Sequence, residues 1–152
     1  VKKKKLMKGK SLKRIMAFDF GLKNIGIAIG QIVSKTANTF DAIEARNGTP
    51  SWKKLDALIK EWDPDLLVIG SPLNMDGTKS EMQKKSHSFG MKLKSRYNKD
   101  IEFIDERLST KEAIQRQQDN EFDVKLSSKI TIHGLSAKII LESWFREKNL
   151  DE

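Results

Sequence analysis

Cysteine is absent from the 152 residues, which excludes a disulfide framework and agrees with a reducing, cytoplasmic compartment. Long apolar runs are missing too. None approaches the roughly 18 residues that a membrane-spanning helix needs, so a soluble protein with no membrane partner is expected. The basic opening residues are followed by no apolar core of about 7–15 residues of the kind a secretory signal requires. No internal repeat or composition break divides the chain, and its length suits one domain with a single core of about five strands and flanking helices. A hydrophobic fraction of 38% beside 33% charged residues is that of a folded globular protein.

Acids are lacking at one end only. Eight basic residues and no acid lie between Val1 and Arg14, and from Ile15 onward 21 basic residues face 21 acidic ones. The formal net charge of +8 therefore belongs to the opening segment. Residues 1–13 read as a flexible basic tail, either a solvated extension or an arm that holds phosphates by counterion release, and residues 14–148 read as the folded domain. A second concentration is local: seven basic residues against one acid, Glu81, between Lys79 and Lys99. Lys84, Lys85, Lys92 and Arg96 of that stretch are candidates for a nucleic-acid contact, against the alternative of a merely solvated helix face.

Hydrophobic periodicity lays out the elements. Arg14 to Phe20 is an apolar run ending in Asp19-Phe20-Gly21, and Ile25 to Ile29 alternates in strand fashion, which predicts a hairpin; Thr39 to Ala45 supplies a third strand. Thr49 as cap and Pro50 as first helical residue open a helix striped by Trp52, Leu55, Leu58, Ile59 and Trp62, ending before Asp63-Pro64. Leu66 to Ile69 is a continuous apolar run, as in a strand covered on both faces. A loop at Ser71 to Thr78 follows, then a helix over about Lys79 to Tyr97 and a fifth strand at Ile101 to Ile104. Ser109 to Glu112 has the form of a capping box for a short helix, Gln117 to Ser128 is polar and aperiodic, and a last helix runs from about His133 to Glu147. A meander followed by α/β units implies a mixed five-stranded sheet with helices on its faces. In such sheets ligands gather beyond the carboxyl ends of the parallel strands. Asp19, the Ser71 loop and Asp105-Glu106-Arg107 all end there.

An acid at the end of an apolar strand needs hydrogen bonds or a cation to offset its lost hydration. Asp19 shares a strand face with Ile15 and Ala17, and Glu106 shares one with Glu102 and Ile104. Asp19 either caps the hairpin turn or, if the sheet brings the two strands close, shares a divalent ion with Glu106. Hard oxygen ligands suit Mg²⁺ or Mn²⁺, which can activate water for phosphodiester cleavage. His87, within the basic helix, reads as a surface residue. Ser71 and Ser109 have no evident base partner, which argues against serine nucleophilic chemistry.

Four strings, Ala17-Phe18-Asp19-Phe20-Gly21, Gly70 through Thr78, Asp105 through Thr110 and Ile139-Ile140-Leu141-Glu142, resemble the YqgF/RuvX family over about Arg14 to Phe145. The resemblance implies an α/β, RNase H-like fold of the RuvC type and a nuclease, described in that family as a Holliday junction resolvase or a pre-16S rRNA nuclease. It implies that Asp19 and Glu106 are acidic metal ligands and that the Asn74 and Asp76 loop lies beside the site. Arg107, next to Glu106, is a candidate to orient that acid or contact phosphate, against the equal alternative of an ordinary salt bridge. Where the family has a third acid, an aspartate opening the last helix, this chain has His133. Histidine can serve as a neutral nitrogen ligand or as a base for water. The alternatives are a weakened or inactive site, or a helix-start histidine exposed to solvent with the catalytic acid elsewhere, for which Asp123 is a conceivable substitute. The expected enzyme is thus a Mg²⁺- or Mn²⁺-dependent hydrolase acting on pre-rRNA or branched DNA, as a monomer or homodimer. An actin-like ATP-binding protein is disfavoured, because that fold needs a second lobe and glycine-rich phosphate loops.

Overall fold

A computed structural model of the protein describes residues 12–34, 36–71, 80–105 and 132–148. The elements are β1 (Arg14–Asp19), β2 (Asn24–Gln31), β3 (Thr36–Arg46), β4 (Thr49–Pro50), α1 (Trp52–Trp62), β5 (Leu66–Ser71), α2 (Glu81–Tyr97), β6 (Asp100–Asp105) and α3 (Ile132–Glu147). The predicted short helix at Ser109 and the polar segment at Gln117 to Ser128 lie outside the described residues.

The strands form one mixed sheet in the order β4-β3-β2-β1-β5-β6, with β1 to β4 antiparallel to their neighbours and β1, β5 and β6 parallel. The sheet has six strands where five are expected, and the extra one is the two-residue β4. Thr49-Pro50 does not start the helix: Asn47 (φ 50°) and Gly48 (φ 86°) make a two-residue turn that folds Thr49 and Pro50 back onto Arg46 and Ala45. Both turn residues need positive φ, the backbone of a type I′ hairpin. Proline is tolerated on this outermost strand because one flank has no neighbour to bond. Helix α1 then begins after Ser51 and ends where Asp63, at φ 42°, donates its N–H to the carbonyl of Ile59. Helix α2 is capped by Ser80, whose hydroxyl accepts from the N–H of Gln83 at 2.9 Å.

Residues alternate across the sheet and so create two cores. Met16, Phe18, Ile25, Ile27, Leu67 and Ile69 face α1 and α2, where Leu55, Leu58, Phe89 and Leu93 cover them. Ile15, Ala17, Ala28, Leu66, Val68 and Ile104 face α3, against Ala137, Ile140, Leu141 and Trp144. The parallel strand β5 is buried on both faces, which is why it reads as an unbroken apolar run. In β2 the alternation is also one of size. Isoleucines 25, 27 and 29 fill the first core, while Gly26, Ala28 and Gly30 turn toward α3 and let that helix come close. The indole N–H of Trp144 donates to Glu102 Oε1 at 3.1 Å, and Lys148 Nζ lies 3.2 Å from the same oxygen, fastening the end of α3 to β6.

Candidate active site at the head of the sheet

Strands β1, β5 and β6 run parallel, so their carboxyl ends lie along one edge of the sheet. Asp19 closes β1 there and is 8% exposed, one of three buried polar residues among those described. Alternation places it on the α3 face with Ile15 and Ala17, as expected. Its pairing partner on β2 is Gly26, and one step past the last β1–β5 pair, Phe18 with Ile69, it comes level with Gly70. The positions on both sides of Asp19 in the sheet are therefore glycines.

On β6, Glu102 and Ile104 meet α3 residues while Phe103 meets α2, so the expected division of that strand between faces agrees with the structure. The two acid-bearing strands are not neighbours, however. β5 stands between β1 and β6, a separation of about 10 Å at the usual ~4.8 Å per strand. A ligand set spanning them has to pass over the end of β5, where Gly70 leaves room. Ser86, fully buried on α2, donates its hydroxyl to the carbonyl of Gly70 at 2.7 Å and fixes this end of β5. Sequence reading does not find Ser86, because a serine in a polar helix carries no signal of a buried carbonyl opposite it.

Glu106, Arg107, Asn74 and Asp76 lie outside the described residues, as does Asp123. His133 is the second residue of α3, and its side chain is outside the described set. Among the described residues no three of His, Cys, Asp and Glu come together as a metal site. The described carboxylates that end parallel strands at this edge are Asp19 of β1 and Asp105 of β6, and carboxylate oxygens are hard donors of the kind divalent cations take.

The basic helix α2 packs on the other face of the sheet from Asp19. Its residues separate into two kinds. Arg96 is held by Asp56 of α1 through Nε at 2.8 Å and Nη2 at 2.7 Å, and its guanidinium carbon sits 4.7 Å from the centroid of the Trp52 ring. Tyr97 adds a 2.7 Å hydrogen bond to the same carboxylate. These bonds, Arg96 first, lower the Asp56 pKa to about 2, while burial and the Asp56 bond raise that of Tyr97. Arg96 is thus chiefly a clamp between α1 and α2. Lys84 has only the weak 3.5 Å contact with Glu81, and Lys85 and Lys92 have no ion pair among the described residues. His87 is exposed and stacks on Phe103 with ring centroids 4.8 Å apart, in keeping with a surface role.

A mixed sheet of order 3-2-1 followed by two parallel strands, helices on both faces and a buried aspartate at the head of its central strand define the RNase H-like class of RuvC-type folds. Solved structures of similar fold include the yeast mitochondrial Holliday junction resolvase Ydc2, with a TM-score of 0.56 at 9% identity over 97% of this chain and 84% of that one. RuvC from T. thermophilus in complex with a Holliday junction gives a TM-score of 0.51 at 7% identity, over 91% and 97%. The sequence matches the model of the family described as "RuvX: Holliday junction resolvase" over residues 13–147, and the chain belongs to that family. A relative in Aeromonas hydrophila subsp. hydrophila, named "Putative pre-16S rRNA nuclease", is 46% identical over 138 residues, covering 91% of this chain and 98% of the relative. No helix among the described residues is long and apolar enough to cross a membrane.

Proposed function

We propose that this chain is a Mg²⁺- or Mn²⁺-dependent endonuclease that trims the 5′ end of pre-16S rRNA in the cytoplasm. The observation that carries the reading is Asp19: a buried carboxylate at the carboxyl end of the central strand, between two glycine positions, in a chain whose near full-length relative bears the name of that activity. Asp19, Glu106 and His133 hold the ion, which when bound supplies Lewis-acid activation of water and of the phosphodiester. His133 contributes a neutral ring nitrogen or takes the proton of the attacking water, and the Asn74 and Asp76 loop borders the substrate. Lys84, Lys85, Lys92 and Arg107 neutralise phosphates on either side of the cut. Trimming one RNA end needs a single active site, so a monomer suffices; symmetric cutting of a DNA junction would require a dimer.

His133, in place of an acid, motivates a second reading: a ribosome-assembly module that binds RNA without turning it over. Both are tested by incubating a labelled pre-16S 5′ leader and a four-way DNA junction with wild type, Asp19→Asn and His133→Asp. The nuclease reading expects cleavage of the RNA by wild type with added metal and none by Asp19→Asn. Binding without cleavage by wild type, with cleavage gained in His133→Asp, would establish the second reading instead.

A further inference from the structure

A cleft of about 310 Å³ opens between α2 and the β3–β4 turn, lined by Phe20, Asn47, Trp52, Lys85, Ser88 and Lys92 among others, none of them acidic. We propose that it receives one unstacked nucleotide of a single-stranded segment, the base against the half-buried Trp52 and the phosphate between Lys85 and Lys92. The proposal rests on the nuclease reading and adds to it a strand class and a place for the strand next to the cut.

The cleft is assembled from two rigid walls. One is a single face of α2, since Lys85, Ser88, Phe89 and Lys92 recur at helical spacing of three, four and seven. The other is the β3–β4 turn, whose Gly48 lies against Phe20: a Cβ there would meet the ring at 2.7 Å, and the Gly48 N–H donates to the carbonyl of Leu22 at 2.9 Å. Trp52 is immobilised at the rim, because Arg96 lies over its ring and is itself held by two bonds from Asp56.

Among the described residues the charge of the cleft is uncompensated. Arg96 of α2 and Lys99 just past its end are neutralised by Asp56 and Asp63, whereas Lys85 and Lys92 have no acid partner among the described residues. Two ammonium groups with no ion pair among the described residues, beside the Trp52 ring, match a nucleotide, whose phosphate is anionic and whose base presents a flat π face. Asn47 at the rim offers both a donor and an acceptor to a base edge. An acidic peptide would satisfy the lysines and leave the aromatic surface unused. A duplex keeps its bases stacked and could use only the lysines. Phe20 directly follows Asp19 with its side chain on the opposite face, so a strand draped over the head of the sheet passes both the carboxylate and the cleft.

The test is fluorescence anisotropy in EDTA, where no cleavage occurs, with a labelled single-stranded 12-mer RNA and a blunt RNA duplex of the same sequence. Wild type is compared with Lys85→Gln/Lys92→Gln, with Ser88→Trp, which fills the cleft and leaves both charges, and with a control, Lys54→Gln/Lys60→Gln, in exposed lysines of α1 outside the cleft. The double cleft variant is expected to weaken single-strand binding about tenfold and to flatten its salt dependence by about 0.7 in log–log slope, the release expected for one phosphate. Ser88→Trp is expected to weaken it about fivefold to a hundredfold, the range of one lost base stack, and to leave duplex binding unchanged. Losses no greater than the control's, or equal losses on the duplex, overturn the cleft proposal and leave the nuclease reading intact. Failure of wild type to bind or cut any nucleic acid removes the nuclease reading and the cleft with it.

Discussion

Replacing Gly30 with alanine should destabilise the protein, against the usual direction of that change. In a strand interior, alanine ordinarily gains about 0.5–1 kcal/mol over glycine because the unfolded chain loses less freedom. At Gly30 the new methyl would stand 2.7 Å from Leu141 Cδ2, 2.8 Å from the carbonyl oxygen of Thr36 and 3.2 Å from Phe145 Cζ. Leu141 can change rotamer, but the Thr36 oxygen belongs to the β2–β3 ladder and moves only with the sheet. Overpacking of this kind costs about 1–3 kcal/mol, so the net is a loss of about 1–2 kcal/mol, or about 2–8 °C in Tm. Gly90→Ala makes the matched contrast. Its Cβ also falls 2.7 Å from a neighbour, but that neighbour is the tip of the Phe103 ring, and alanine gains about 1 kcal/mol inside a helix. The two should nearly cancel. Urea melts of both variants at one protein concentration check the pair. A Gly30→Ala protein as stable as wild type would refute the close approach of α3 and β3 to β2 at this position.

Three further outcomes follow from particular contacts. Glu102→Ala leaves the buried indole N–H of Trp144 and the ammonium of Lys148 without their shared acceptor, and should cost about 1–3 kcal/mol in urea melts. Ser86→Ala, which strips the carbonyl of Gly70 of its buried donor, should cost about 1–2 kcal/mol and lower cleavage more than its stability loss explains, read as turnover well below the melting range. The folded pKa of Asp56 is depressed from 3.8 to about 2, so its contribution is present above pH about 4 and is lost as pH falls toward 2. Tm measured from pH 5 to 2 should therefore fall less steeply in Asp56→Asn than in wild type, and the difference should shrink in high salt because the pair is exposed.

Much of this architecture is local and hence legible. The alternation of Ile25 to Ile29, the unbroken run of Leu66 to Ile69 and the stripe of α1 each follow from how an element meets its core. The start of α1 was misleading because Thr-Pro suits a helix opening as well as an edge strand. Asn47-Gly48, the pair that favours positive φ at both turn positions, is the signal that decides between them. The insertion of β5 between β1 and β6 had no local signal, since the order of parallel strands is set by crossovers and packing across the whole sheet. The same holds for the bond from Ser86 to Gly70 and the partnership of Arg96 with Asp56. Residue type alone made Arg96 a phosphate contact, and only the fold brings an acid 40 positions away within 2.7 Å. At the candidate site, Asp19 was legible as an acid ending an apolar strand. Its glycine neighbours became meaningful only once register paired them.

The central claim is that Asp19 anchors a divalent-metal site completed by Glu106 and His133. The measurement that tests it most directly is a crystal structure of the wild type soaked with Mn²⁺, using anomalous diffraction at the manganese edge. An anomalous peak beside the Asp19 carboxylate, with Glu106 and the His133 ring in its coordination sphere, is the predicted result. A peak elsewhere, or an Asp19 whose carboxylate takes no ion at saturating Mn²⁺, would contradict it.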